Sequence, residues 1–271
     1  MRPSLTRRGL AHTINRGIGD AFAHHSGKYE ITPHEGRPCS AFPNVFHPKF
    51  EAHVVYRAKR DAAPNRGDPW LIGYYFDNEL AWWGRGSPDC GLFDAAMAKA
   101  MDHPAKHEVC RFLREQSKDD LAAFNRTWGT ALADWDRLLS IPSRASDEPE
   151  HRRIKTAFLA HAAEIYFSVL ARAIRAADPD HLLLGARFAG TQNMAPVAWE
   201  AAGRHCDAVS LNMYLHADLD EGRVYTRPLT SGEPIDAHLA RYHRLAGRPL
   251  LITEWSFPAI DSGLPCVHSA G

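Results

Sequence analysis

Four short apolar runs punctuate the chain from residue 71 onward, and each ends in polar residues. LIGYYF (71–76), HLLLGARF (181–188), DAVSLNMY (207–214) and LLITEW (250–255) have the length and the β-branched and aromatic content of buried strands. Between them the period changes. Ile154, Phe158, Ile165, Val169, Ala173 and Ile174 recur at helical spacing, which predicts a helix over 151–177. Asp178-Pro179 stops it, because proline cannot donate the amide that a further turn requires. A second helix is predicted from Pro234 to about Ala246, with Ile235, Leu239, Tyr242 and Leu245 on one face and Gly247 as its stop. Strands that alternate with helices in this way predict parallel βα units.

Upstream of residue 70 the pattern is weaker. FHPKFEAHVVYRAKR (46–60) reads as a helix with Pro48 near its first turn. LAHTIN (10–15) or KYEIT (28–32) reads as a strand. Residues 84–149 read as a long, largely helical insertion after the first strong strand, with Trp128 and Trp135 in its core. Long insertions at such places tend to cover sites. With no repeat and no linker, residues 1–271 read as a single domain.

Composition narrows the function. Of 271 residues, 45% are hydrophobic and 24% charged, the balance of a folded globular chain. Lys+Arg and Asp+Glu are equal at 32 each, which argues against a protein whose main task is to neutralise nucleic-acid phosphates. No run of about 18 apolar residues is present, so no membrane span is expected. The N-terminus, MRPSLTRRGLAHT, lacks the apolar stretch of a signal peptide. Cys39, Cys90, Cys110, Cys206 and Cys266 form no CxxC pair, and Cys110 and Cys206 sit in apolar surroundings as buried thiols. His103 and His107 stand four apart, but Pro104 lies between them and the HExxH glutamate is missing. They read as the start of a surface helix, and neither a metal nor a cofactor is expected.

The chemistry gathers at the strand ends. Ligand sites in parallel α/β folds lie beyond the carboxyl ends of the strands. Those ends carry Asp77, Asn78 and Glu79, then Arg187, then Asn212 and Tyr214, then Glu254 and Trp255. Strand period places Gly73, Tyr75, Asp77 and Glu79 on one face, and Leu250, Ile252 and Glu254 likewise. Two glutamates with Trp82, Trp83 and Trp255 beside them suggest sugar chemistry. A glycosidase needs one carboxylic acid to protonate the leaving oxygen and one carboxylate across the ring. Aromatic rings stack on the apolar faces of sugars, so Trp82 and Trp255 are candidate substrate contacts. Asp77 reads as a structural hydrogen-bonding partner. Arg187 either binds substrate or pairs with a rim carboxylate.

GYYFDNELAWWG (73–84) resembles the acid/base strand of the retaining glycoside hydrolases of clan A. TEWSF (253–257) resembles their nucleophile segment, and NMY (212–214) the segment whose tyrosine supports the nucleophile. Within the clan the likeness is to bacterial β-agarases and β-galactosidases, families 50 and 42. It rests on FPNVFHPKF (42–50), DNEL (77–80), FNRTWGT (124–130) and DPDHLLLGARFAG (178–190), and covers roughly residues 40–265. The resemblance implies an α/β fold of the (β/α)8 TIM-barrel type and a galactoside or galactan substrate. It maps Glu79 to the acid/base, Glu254 to the nucleophile, Asn78 to a contact with the sugar 2-hydroxyl, and Tyr214 to the nucleophile's hydrogen-bond partner. Arg187 and Asn212 join Trp82 and Trp255 as candidate substrate contacts.

A full barrel takes about 250 residues before insertions. Only about 70 residues precede LIGYYF and 17 follow Glu254. The expected architecture is therefore an incomplete barrel, with strands three to seven present and the first strands and strand eight missing. Its inner face should be exposed, carrying Ile72 or Tyr75, Leu184 and Ile252, with open edges available for self-association. Two readings of function remain: a retaining glycosidase, or an inactive remnant that at most binds carbohydrate. A metal-dependent hydrolase finds no ligand spacing to support it.

Overall fold

The computed structural model describes residues 2–33, 40–82, 91–142, 146, 148–190, 195–218, 223–226 and 235–255. In chain order the elements are α1 (Arg2–Arg7), β1 (His12–Asn15), α2 (Ile18–Ala23), β2 (Glu30–Thr32), β3 (Phe42–Pro43), α3 (Phe50–Asp61) and β4 (Leu71–Tyr75). There follow α4 (Gly91–Met97), α5 (Pro104–Gln116), α6 (Leu121–Trp128), α7 (Pro149–Ala177), β5 (Leu182–Leu183) and β6 (Phe188–Ala189). The chain continues through α8 (Pro196–His205), β7 (Val209–Asn212), β8 (Leu215–Asp218), β9 (Arg223–Thr226), α9 (Ile235–Ala246) and β10 (Leu250–Glu254).

Parallel pairing builds two small sheets, β1-β4-β5 and β6-β7-β10. The segment 182–189 serves both. Its first half pairs with β4, Gly73 against Leu182 and Tyr74 against Leu183. Its second half pairs with β7, Phe188 against Leu211 and Ala189 against Asn212. The break falls at Gly185, whose φ of +82° is left-handed and suits a residue without a side chain. Bonds from Phe76 N to Gly185 O (2.8 Å) and from Glu79 N to Arg187 O (3.1 Å) tie the two sheets together. Five parallel strand positions therefore stand side by side, in a mixed α/β architecture that does not close on itself among the described residues. The uninterrupted strand expected over 181–188 is thus two short pieces with a turn between them.

Helices cover one face. α3, α7, α8 and α9 pack side by side in that order. Trp199 of α8 meets Phe188 at 4.8 Å and Tyr242 of α9 at 4.7 Å between ring centroids. α7 is long and apolar enough to cross a membrane by length and composition, but its apolar face is spent inside the molecule. Phe158, Tyr166, Phe167, Leu170 and Ile174 are all buried in one core cluster among the described residues. The opposite face of the strands is open. Ile252 and Leu182 stand half-exposed there, Leu182 in the place expected of Leu184, and Tyr75 lines that face; Ile72, also half-exposed, alternates with Tyr75 and shares the side of the buried Tyr74. Leu184 is buried because the chain turns at Gly185 and leaves strand period behind.

Local chemistry explains other departures. The helix expected over 46–60 begins at Phe50, because residues 44–50 form turns closed by His47 N to Asn44 O and Phe50 N to His47 O. LAHTIN and KYEIT both supply strands, β1 and β2. α8 and the β8–β9 hairpin were not foreseen; α8 starts with Pro196 at its first turn, a position where proline costs no hydrogen bond. His103 caps α5, its Nδ1 accepting from Ala105 N at 3.1 Å. Cys206 is buried as expected, whereas Cys110 is only partly so.

Candidate active site

β4 ends at Tyr75, and the chain then leaves extended conformation. Strand period stops there, so Asp77 and Glu79 do not share the face of Tyr75. Asp77 turns toward the helices and is fully buried. It accepts from Gly19 N (2.9 Å), Asp20 N (2.9 Å) and the Tyr166 hydroxyl (2.6 Å). Burial pushes its carboxyl up to about 7, against the pull of those three donors. It is a structural tie between β4, α2 and α7. Glu79 instead takes a left-handed φ of +50° and reaches the ends of the strands. Left-handed backbone is costly for a residue with a Cβ and gathers at functional sites.

One chain of hydrogen bonds then joins the strand ends. The Asn212 amide donates to Glu79 Oε1 (2.8 Å) and to Asn78 Oδ1 (3.2 Å). Its Oδ1 accepts from the Thr253 hydroxyl at 2.8 Å, which leaves the NH2 to face the glutamate. Thr253 in turn accepts from Arg187 Nε (3.3 Å). Arg187 Nη2 forms an ion pair with Glu254 Oε1. The Tyr214 hydroxyl donates to the other oxygen, Glu254 Oε2, at 2.5 Å. That bond holds the Tyr214 proton, and with burial and the charge of Glu254 pushes the phenol up to about 12.

Asn78, Glu79, Arg187, Asn212, Tyr214 and Glu254 therefore meet in a single network. The tryptophans separate. Trp255 is 68% exposed beside Glu254. Trp82, expected to touch substrate, is 1% exposed. Its ring lies among Phe42 (4.7 Å), Tyr166 (5.1 Å), Phe167 (5.5 Å) and Phe188 (5.8 Å), where the core gains more from that surface than the rim would. Trp83 falls outside the described residues, as do Ser256 and Phe257.

Sequence reasoning did not assign Thr253, Ser210 or Tyr75 to the site. Ser210 Oγ accepts from Arg187 N (2.9 Å), and Tyr75 lies under the Arg187 guanidinium at 5.6 Å. A signal for Ser210 was present: it precedes Asn212 by two on one strand, hence on the same face. Beneath the network a cavity of about 480 Å³ opens on the uncovered face, lined by Asn15, Tyr75, Arg187, Ile252 and Thr253 among others.

No protein-family model matches the chain. It is similar to β-agarase A of Vibrio sp. (strain JT0107), at 28% identity over 235 residues, 82% of this chain and 22% of that protein. It is similar also to β-agarase B of the same strain, at 28% identity over 227 residues. The chain thus spans about a fifth of the length of the curated relatives it matches. Among solved structures, a crystal structure of an agarase superposes with a TM-score of 0.75 at 24% identity, covering 97% of this chain and 34% of that one. A β-galactosidase from the psychrophilic Marinomonas ef1 superposes with a TM-score of 0.57 at 16% identity, covering 93% and 39%. In sequence the chain resembles glycoside hydrolases of the β-agarase kind, and in fold it resembles an agarase and a β-galactosidase alike.

Proposed function

We propose that the chain is the catalytic portion of a retaining glycoside hydrolase that cleaves β-galactosidic bonds in galactans or β-galactosides. The observation that carries this reading is the network in which Glu79 and Glu254, at two strand ends, are held by Asn212, Thr253, Arg187 and Tyr214. The fold on this reading is a (β/α)8 barrel represented by five strands, with 84–149 as a helical insertion in one catalytic unit.

Glu254 attacks the anomeric carbon, and its electron pair forms the glycosyl ester as the bond to the leaving oxygen breaks. Glu79 delivers its proton to that oxygen. Glu79 then takes a proton from water, which displaces Glu254 and returns the sugar with its original configuration. The retaining spacing of the two carboxyls is about 5–5.5 Å. Asn78 contacts the sugar 2-hydroxyl, and the exposed Trp255 offers a face for stacking. No cofactor enters the reaction.

The test separates the two glutamates. Glu254→Ala abolishes hydrolysis of every glycoside. Glu79→Ala spares the first step on an activated aryl β-galactoside and loses about 10²–10⁴-fold on poor leaving groups. Azide restores its turnover and yields a β-galactosyl azide. Azide rescue of Glu254→Ala instead would exchange the roles. The open inner face favours a second reading, a non-catalytic carbohydrate-binding remnant. Saturable galactan binding with no turnover by the wild-type chain would select it.

A further inference from the structure

Arg187 touches both glutamates, and by different means. Its main-chain carbonyl accepts the Glu79 amide at 3.1 Å. Its guanidinium pairs with Glu254 Oε1 and donates from Nε to Thr253 Oγ1 at 3.3 Å. Its own amide is anchored on Ser210 Oγ at 2.9 Å. The residue sits at a φ of +45°, and Glu79 at +50°, so two side-chain-bearing residues in left-handed backbone face each other across one hydrogen bond. Neither is glycine, so the surroundings must hold both conformations. The guanidinium is mostly buried, lies over the Tyr75 ring at 5.6 Å, and so reaches from Tyr75 of one small sheet to Glu254 of the other. Its nitrogen ties run to Glu254 and Thr253.

We infer that Arg187 is a positioning residue, a strut that sets the separation and aim of Glu79 and Glu254, and not a substrate contact. This rests on the proposed glycosidase activity. The reason for an arginine is geometric. A planar fork can engage Glu254 and Thr253 together while its backbone, two bonds from the Cβ, holds Glu79; a lysine ammonium is a single point on a flexible stem. The strut also spans the place where the strand 182–189 breaks, so the break and the carboxylate spacing are one structural event.

The two halves of the strut can be cut separately. Arg187→Gly keeps left-handed backbone available, and so the carbonyl bond to Glu79, while it deletes the guanidinium. Arg187→Val deletes the guanidinium and also disfavours the left-handed backbone. Assayed on an activated aryl β-galactoside, Arg187→Gly is expected to lose about 10²-fold in kcat with KM within about threefold, the scale of a misplaced reacting group. Guanidinium ion added to Arg187→Gly restores part of kcat saturably, and Arg187→Lys lies between the two. On an unactivated galactoside Arg187→Val loses about tenfold more than Arg187→Gly, because Glu79 is now misplaced as well. A raised KM with unchanged kcat makes Arg187 a substrate contact and overturns the inference. Loss of kcat with a lowered melting temperature and no guanidinium rescue makes it a purely structural residue and overturns it too. If the wild-type chain turns over nothing, the activity reading fails by itself, and crystal structures decide the strut: displacement of the Glu254 carboxylate in Arg187→Gly, and of the Glu79 amide as well in Arg187→Val, upholds it. Both glutamates unmoved in both variants refutes it.

Discussion

Asn212 and Glu79 are separated by 133 residues in sequence and meet at 2.8 Å, amide to carboxylate. The contact exists because Asn212 ends β7 next to the segment 182–189, and that segment in turn holds the Glu79 backbone. Asn212 is buried, and its amide serves Asn78, Glu79 and Thr253 at once.

Asn212→Ala should therefore leave several partly buried polar atoms without this partner, at about 1–3 kcal/mol of stability. Its effect on activity should fall hardest on glycosides with poor leaving groups, since it loosens Glu79. Denaturant unfolding and a leaving-group series check both. Equal losses on activated and unactivated substrates would disconnect Asn212 from the acid/base role.

Asp77→Asn should destabilise without touching the site. The three donors around Asp77 all point at acceptors, and an amide turns an NH2 toward at least one of them. The expected cost is about 1–3 kcal/mol. The pH dependence should change as well. The folded carboxyl titrates at about 7, above its unfolded value of about 3.9. A raised carboxyl contributes stability below the unfolded value and loses it as pH rises through the folded one. Wild-type stability should thus fall between about pH 4 and 7 on this account, and the Asp77→Asn curve should lack that fall.

His181 offers a second titration of known sign. Its Nδ1 faces Asp178 Oδ2 (2.7 Å) and its Nε2 faces the Asp68 carbonyl (2.8 Å), so both nitrogens donate and the imidazolium fits. Burial works against that charge, but the bonds to Asp68 and Asp178 outweigh it and raise the histidine. Burial likewise opposes an ionised Asp178, and the Tyr74 and His181 bonds overcome it and lower the carboxyl. The Asp178 contribution is lost as pH falls below about 4, and that of His181 as pH rises above about 6.5. His181→Gln should cost about 1.5–3 kcal/mol near pH 6, where the charge-assisted bonds are intact. It should cost less at pH 9. Melting curves across that range read this out, and an equal cost at both pH values would exclude an imidazolium.

The uncovered face should bind a hydrophobic dye. Leu182 and Ile252 stand half-exposed on it, and Ile252 lines the cavity of about 480 Å³. Replacing Leu182 and Ile252 by serine should reduce dye fluorescence while the melting temperature changes little, because those side chains contribute little buried area. Undiminished fluorescence would place the dye elsewhere, and the apolar hollow around Phe93, Leu113 and Trp128 would be the next site to examine.

Legible in the residues alone were the alternation of strands and helices, the long α7 with its stop at Asp178-Pro179, and the strand-end glutamates. These are local matters of apolar period, proline chemistry and strand length. Several segments that carried the resemblance prove to be local ties of the same kind. Asn44 of FPNVF donates to Lys28 O (2.7 Å), and Asn125 of FNRTWGT accepts from Thr130 Oγ1 (2.7 Å) and Leu132 N (3.0 Å). Where side chains point once the chain stops being extended depends instead on contacts between distant segments. Period two cannot run past Tyr75 or through Gly185, so it placed Asp77 at the rim and Leu184 in the open face, and both are buried. Trp82 read as a sugar contact by its neighbours in sequence, but its neighbours in space are four aromatic rings. The tie of Arg187 to Glu254, and of Asn212 to Glu79, spans 67 and 133 residues. No local pattern encodes such a pairing, because it arises only when parallel strands bring their carboxyl ends to one edge.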